Sequence, residues 1–493
     1  MGLEVDREDF EESDFAAFDR RLQSDLEALG ELLERPGFGE GETTIGAEVE
    51  FSLVDADGRP RLISRSVMND ALEPRLAFEL DRFNLEYNAS PVRFRGEPFT
   101  ALAAELDAAL AVIDGVARRH GGRLALIGIL PTLEESDVQS SAMTKTPRFR
   151  ALSAGLRRLR SAPFQIEIEG DERLALECDD VTMEGANTSF QLHLRVAPRD
   201  YAKTFNAAQL ATAPVLAACT NSPTFLSRRL WRETRVALFG RAVDYRIEGP
   251  GWRPARVSFG HGWVRGGALE LFRESVLLHR PLLPVVGDED PVAVVRAGGV
   301  PQLGELKLHH GTVWSWNRAV YDAGQGGHLR IELRALPTGP TVIDMMANAA
   351  FSIGLTLGLR ERVEGLLPAI PFRLVHDNFY RAAQAGLDSV LMWPCLESPS
   401  PRAYRAADLV ERLLPIAREG LETAGIDARE VEGLLRIVEE RTTARSTGAD
   451  WQRARLDRLE QGMERGPALV EMFGQYLVHQ ETGRPVHEWP PTG

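Results

Sequence analysis

Apolar and polar side chains alternate in four separate stretches of the chain, and an alternation of period two predicts a half-buried strand. In 44–54, Ile45, Ala47, Val49, Phe51 and Leu53 fall on one side, with Gly46, Glu48, Glu50 and Ser52 on the other. In the second half of 78–88, Phe83, Leu85 and Tyr87 oppose Asn84, Glu86 and Asn88, and Glu79 stands on the approach. In 189–196, Phe190, Leu192, Leu194 and Val196 oppose Gln191, His193 and Arg195. In 328–335, Leu329, Ile331, Leu333 and Ala335 oppose Arg330, Glu332 and Arg334, and Pro337 breaks the run.

Helical periodicity fills much of the remainder. Phe15, Phe18, Leu22, Leu26, Leu29 and Leu33 make one apolar stripe over 13–35, ended by Pro36-Gly37. A second helix is predicted over 98–120, entered through Pro98 and stopped by Gly121-Gly122. Residues 201–219 and 341–360 read as helices of the deep core, and Leu124–Leu130 as a buried strand. Residues 281–303, with several Pro and Gly, read as an excursion. From about 376 the pattern is mostly helical, interrupted at 442–450. The chain therefore divides into an N-terminal helix (1–40), a central domain (41–395) and a helical C-terminal extension (396–493).

The polar faces of the strands carry chemistry. Glu48 and Glu50, at i and i+2, lie about 7 Å apart on one strand face. Such a pair is costly unless a proton or cation sits between the carboxylates. If the four strands share one sheet, Glu48, Glu50, Glu86, Gln191, His193, Arg330, Glu332 and Arg334 form a basin of acids flanked by guanidiniums. Mg²⁺ is held by a few carboxylates and substrate phosphates, and Arg forks grip phosphate or carboxylate. That layout suits phosphoryl transfer, which depends on positioning and charge neutralisation. No Gly-x4-Gly-Lys-Ser/Thr is present, so a P-loop is excluded. Plainer readings apply to each part alone. Glu-x-Glu decorates many solvated strands, a lone His is usually structural, and Arg148, Arg150, Arg157, Arg158 and Arg160 read as a solvated helix face. The arginines of 228–246 divide between solvation and anion recognition, and Gly260–Gly267 is a candidate lid.

Composition narrows the partners. The chain has 493 residues, 44% hydrophobic and 26% charged, as for an ordinary globular protein with a large core. Its net charge of −15 argues against nucleic acid. The acidic N-terminus has no apolar region like that of a secretory signal, and no run of about 18 apolar residues predicts a membrane span. Cys178, Cys219 and Cys395 are far apart, as expected of buried thiols in a reducing cytoplasm.

In order and spacing these motifs resemble the glutamate–cysteine ligase superfamily, in its bacterial carboxylate–amine ligase branch, over roughly 44–395. Gly46-x-Glu48-x-Glu50-Phe51 is similar to the opening motif, and Glu79 with Glu86 to the next acid pair. Thr220-Asn-Ser-Pro223 resembles a family turn, and Thr312-Val-Trp314 with Arg318 the approach to the Arg330-x-Glu332-x-Arg334 strand. Asn378-x-x-Arg381 with Gly386-Leu-Asp388, and Thr447-Gly-Ala-Asp450 with Gln452-Arg453, resemble later motifs. Gln191-x-His193 departs from the His-x-His or His-x-Asn of many relatives.

The resemblance implies an α+β fold: a curved, mainly antiparallel half-barrel sheet akin to glutamine synthetase, flanked by helices. It implies ATP and Mg²⁺, with Glu48, Glu50, Glu79, Glu86 and Glu332 as metal ligands. Gln191, His193, Arg318 and Arg381 would contact nucleotide or metal, and Arg330 and Arg334 the reacting groups. The implied reaction joins a carboxylate to an amine through an acyl phosphate, most simply glutamate with cysteine, the entry to glutathione biosynthesis. Two other readings stay open: a ligase of this fold acting on another acid or amine, and a catalytically silent nucleotide or amino-acid binder. The implied partners are an amino acid, an amine and ATP, with neither nucleic acid nor membrane, and a homo-oligomer is compatible.

Overall fold

A computed structural model describes residues 3, 5–160, 162–246, 252–395 and 400–490. The start of the N-terminal stretch and the predicted boundary at 395/396 touch residues outside the described set. The four alternating stretches become neighbours in one antiparallel sheet. Its order is Asn317–Asp322, His328–Leu333, Phe190–Val196, Thr44–Val54, Asn84–Asn88, Leu76–Phe78. Val92–Arg93 and Arg123–Ala125 pair with the two ends of the long Thr44–Val54 strand, so the sheet has eight strands. It curls into a half-barrel.

One face is the core. Ile45, Val49, Phe51, Leu53, Phe190, Leu192, Leu329 and Ile331 are all fully buried. The helix Val342–Arg360 packs behind the sheet against Phe190–Val196 and the helices Tyr201–Ala217 and Ala406–Thr423. It has the length and hydropathy of a membrane span, yet 83% of that window is buried inside the fold. Its crossing with Ala406–Thr423 brings backbones into contact: a Cβ at Gly420 would sit 2.1 Å from the Gly354 carbonyl oxygen. Residues 406–423 are thus part of the central core.

Two edge strands were hidden by their own pattern. In Asn317–Asp322 a polar residue, Asn317, sits on the buried face, where its amide donates to Gln209 Oε1 (2.6 Å) and Thr212 Oγ1 (2.9 Å). Val320 sits on the polar face, opposite Arg330, so the alternation is blurred. Leu76–Phe78 is too short to show a period. The predicted strand Leu124–Leu130 is a strand only over Arg123–Ala125. Beyond it the backbone stays buried but bonds to loops and side chains: Gly128 N donates to Asn221 O, and Leu126 O accepts from Tyr476. The excursion at 281–303 contains the short helix Pro291–Arg296, packed on Glu12–Leu33.

Candidate active site

Residues directly opposite in an antiparallel pair point to the same face. The register sets Glu50 opposite Glu86, Glu48 opposite Gln191 and Gly46 opposite His193. It then sets His193 opposite Glu332 and Glu332 opposite Arg318. Five strands thereby deliver one continuous polar row to the concave side.

Half of that row is neutralised by cations. Glu332 accepts from Arg318 Nε and Nη2, the latter at 3.0 Å, and from Arg334 Nη1 at 3.2 Å. His193 Nε2 donates to Glu48 at 2.9 Å and lies 3.9 Å from Glu332 Oε1. Burial alone would raise both carboxyls. Arg318, Arg334 and His193 nevertheless hold Glu332 well below the usual range, and His193 then Arg334 hold Glu48 low. Gln191 accepts from Arg334 (2.6 Å) while donating to Glu50 (2.8 Å). A neutral amide can do both at once, which gives this position of the row a reason to be Gln.

The other half is not neutralised. Oxygens of Glu50, Glu79 and Glu86 can be chosen that all lie within 4.8 Å of one another. Burial, then Glu86, Glu50 and Glu184, push Glu79 well above the ordinary carboxyl range. Burial, then Glu48 and Glu50, do the same to Glu86. Glu50 is raised by burial although Ser189 N donates to it at 2.6 Å. Three converging oxygen donors with surplus negative charge fit a hard divalent cation. Glu48, His193 and Glu332 offer a second triad within 4.8 Å.

The remaining predicted residues lie further out. Arg330 shares the polar face but stands opposite Arg195 and pairs with Asp322 at 3.4 Å. Arg381 is exposed on the helix Phe372–Ala385, and among the described residues no hydrogen bond or ion pair ties it to the basin. Its motif partner Asn378 braces the backbone of Met392 from both sides, at 2.6 and 2.8 Å. The candidate lid Gly260–Gly267 is anchored at its base: Gln209 donates to Phe259 O at 2.9 Å, and Asn206 brackets Val264.

Three basin residues had no strand pattern to reveal them. Glu184, on the turn Thr182–Ala186, has its carboxyl pushed up to about 8 by burial and then Glu50. Arg148, expected on a solvated face, is half-buried and feels Glu79 and Arg318, with no acid in pairing range among the described residues. Burial lowers its affinity for a proton. Arg235 is buried, pairs with Glu233 at 3.1 Å and stacks 5.6 Å from the Trp316 ring. Glu233 also accepts from Asn221 N and Ser222 Oγ, at 2.8 and 2.7 Å. The Thr220–Pro223 turn is therefore a brace. Asn221 donates to Thr338 O, just past the His328–Leu333 strand, and accepts from Gln452 at 2.9 Å.

This architecture recurs in solved ligases. The structure of glutamate–cysteine ligase from Francisella tularensis in complex with AMP superimposes with a TM-score of 0.53 at 10% identity, covering 92% of this chain and 96% of that one. A bifunctional glutathione synthetase from Pasteurella multocida gives 0.50 at 11% identity, covering 93% of this chain and 55% of that one. At such identity these likenesses concern the fold. None of the curated proteins compared matches the sequence. The chain belongs to glutamate-cysteine ligase family 2, whose model matches residues 44–471 and so runs through much of the helical extension. It is an ATP-dependent carboxylate–amine ligase.

Proposed function

We propose that this ligase joins the γ-carboxylate of glutamate to the amine of cysteine, as a cytoplasmic step toward glutathione. The observation that carries the reading is the divided row: a cation-held half at Glu332 beside a surplus-acid half at Glu79 and Glu86. Glu50, Glu79 and Glu86 would hold one Mg²⁺ and Glu48 and Glu332 another, where the metal would neutralise phosphate charge. Arg334, fixed by Glu332 and Gln191, and Arg148, with no acid partner among the described residues, supply N–H donors for the phosphoryl group in transfer. Arg318 keeps Glu332 ionised and oriented. The glutamate carboxylate oxygen bonds to the γ-phosphorus of ATP as the bond to ADP breaks. The amine nitrogen then bonds to the acyl carbon, inorganic phosphate leaves and the nitrogen loses a proton.

Isotope transfer tests the route. With glutamate labelled by ¹⁸O in its γ-carboxylate, each phosphate released should carry one ¹⁸O. Unlabelled phosphate would mean that the carboxylate is never phosphorylated. Turnover with another amine in place of cysteine would keep the route and reassign the acceptor.

A further inference from the structure

A cavity of about 610 Å³ lies apart from the carboxylate row. The helix Thr234–Ala242 stands between them: Arg235 turns toward the row and acts on Glu50, while Val236, Ala237, Gly240 and Arg241 line the cavity. The opposite wall is the helix Phe372–Ala385, through His376, Tyr380 and Gln384. Gly260 and His261 close one side, and a Cβ at Gly260 would come within 3.0 Å of Gln209 Nε2, so the backbone itself forms that wall.

The lining has two chemical characters. One is cationic. Arg241, Arg246 and Arg253 face the cavity; Asp244 holds Arg246 at 2.7 Å, but among the described residues Arg241 and Arg253 have no acidic partner. Among the described lining residues the acids do not cancel them: Glu167 pairs with Arg173 at 3.6 Å, which leaves Glu169 as the one unpaired acid. The other is flat and apolar. Trp231 and Tyr380 present rings, and Trp252, 70% exposed, packs edge-on to His261 at 5.7 Å. Such a volume suits a small organic ligand. Free guanidiniums select an anion, and aromatic walls select a planar body.

We infer that this cavity is a binding site for a planar ring bearing a carboxylate or phosphate, separate from the carboxylate row. The inference stands on this cavity alone and does not depend on the substrates proposed above.

Tryptophan fluorescence titration tests it, with phenyl phosphate and benzoate as probes and benzyl alcohol and inorganic phosphate as the half-ligands. Saturable quenching is expected from at least one ring-bearing anion, and which probe binds tells phosphate from carboxylate. The half-ligands should bind at least tenfold more weakly. The Arg241→Ala/Arg253→Ala double variant, altered only at exposed positions, should weaken binding at least tenfold, and Glu79→Gln should leave it unchanged. No saturable quenching, quenching that survives the double variant, or quenching lost in Glu79→Gln would overturn the assignment.

Discussion

Glu48 and His193, 145 positions apart in sequence, meet at 2.9 Å across neighbouring strands, and the imidazole favours the charged form of the half-buried carboxylate. His193→Ala removes that support, so burial and Glu332 act on Glu48 with only Arg334 in opposition. Its carboxyl should then rise. Because a metal-ligating carboxylate must be ionised, the acid limb of kcat/KM should move to higher pH by roughly one unit. A pH–rate profile beside wild type checks this; an unmoved limb would contradict it.

The surplus-acid triad predicts opposite effects of one substitution on metal-free stability and on stabilisation by Mg²⁺. Glu79 is raised by burial and neighbouring acids, so the metal-free fold binds a proton that the unfolded chain releases above its ordinary value of 4.5. The stability it contributes is full below that value and is lost as pH rises. At neutral pH, Glu79→Gln should therefore melt higher than wild type in EDTA. Added Mg²⁺ should raise the melting point of wild type, by preferential binding to the folded state, and raise that of the variant less. Equal Mg²⁺ shifts would count against the triad as a metal site.

Asp25 provides a test away from the site. It is 1% exposed and accepts from Leu306 N at 2.8 Å, yet burial pushes its carboxyl up to about 7 from 3.8. Between those values the folded chain holds a proton that the unfolded chain has lost. Stability should fall through that window by up to about 1.4 kcal/mol per pH unit. Asp25→Asn keeps the acceptor and removes the titration. Its denaturation midpoint should be less pH-dependent from 4 to 7 and should exceed wild type at pH 8.

Arg148 should matter to turnover and little to folding. Its side chain makes no hydrogen bond or ion pair with the described residues, so Arg148→Ala leaves no partner stranded. Loss of one preorganised donor to developing charge costs about 10²-fold in kcat. Steady-state kinetics with thermal melting separates the two effects; unchanged kcat would remove Arg148 from the phosphoryl site.

The same contrast explains how much of the site was legible beforehand. Glu48, Glu50, Glu86, Gln191, His193 and Glu332 lie on regular strands, where period two sorts side chains onto faces, and Arg334 follows one residue past the His328–Leu333 strand. Strand neighbours then had only to pair in register for these residues to meet, and they do. Glu184 and Arg148 lie on a short turn and at a helix start, where no period says which way a side chain points. Arg381 is the converse: a motif match on a helix whose tertiary placement leaves it facing solvent. Asn317–Asp322 went unseen because its buried asparagine serves tertiary hydrogen bonds and breaks the binary pattern.

The central claim is that the divided row phosphorylates glutamate for attack by cysteine. Phosphate release from ATP and Mg²⁺, measured with glutamate alone, with glutamate plus cysteine, and with Glu332→Gln under both conditions, tests it most directly. The account predicts release that requires glutamate, rises with cysteine and disappears in a folded Glu332→Gln variant. Release indifferent to glutamate, or undiminished in that variant, would contradict it.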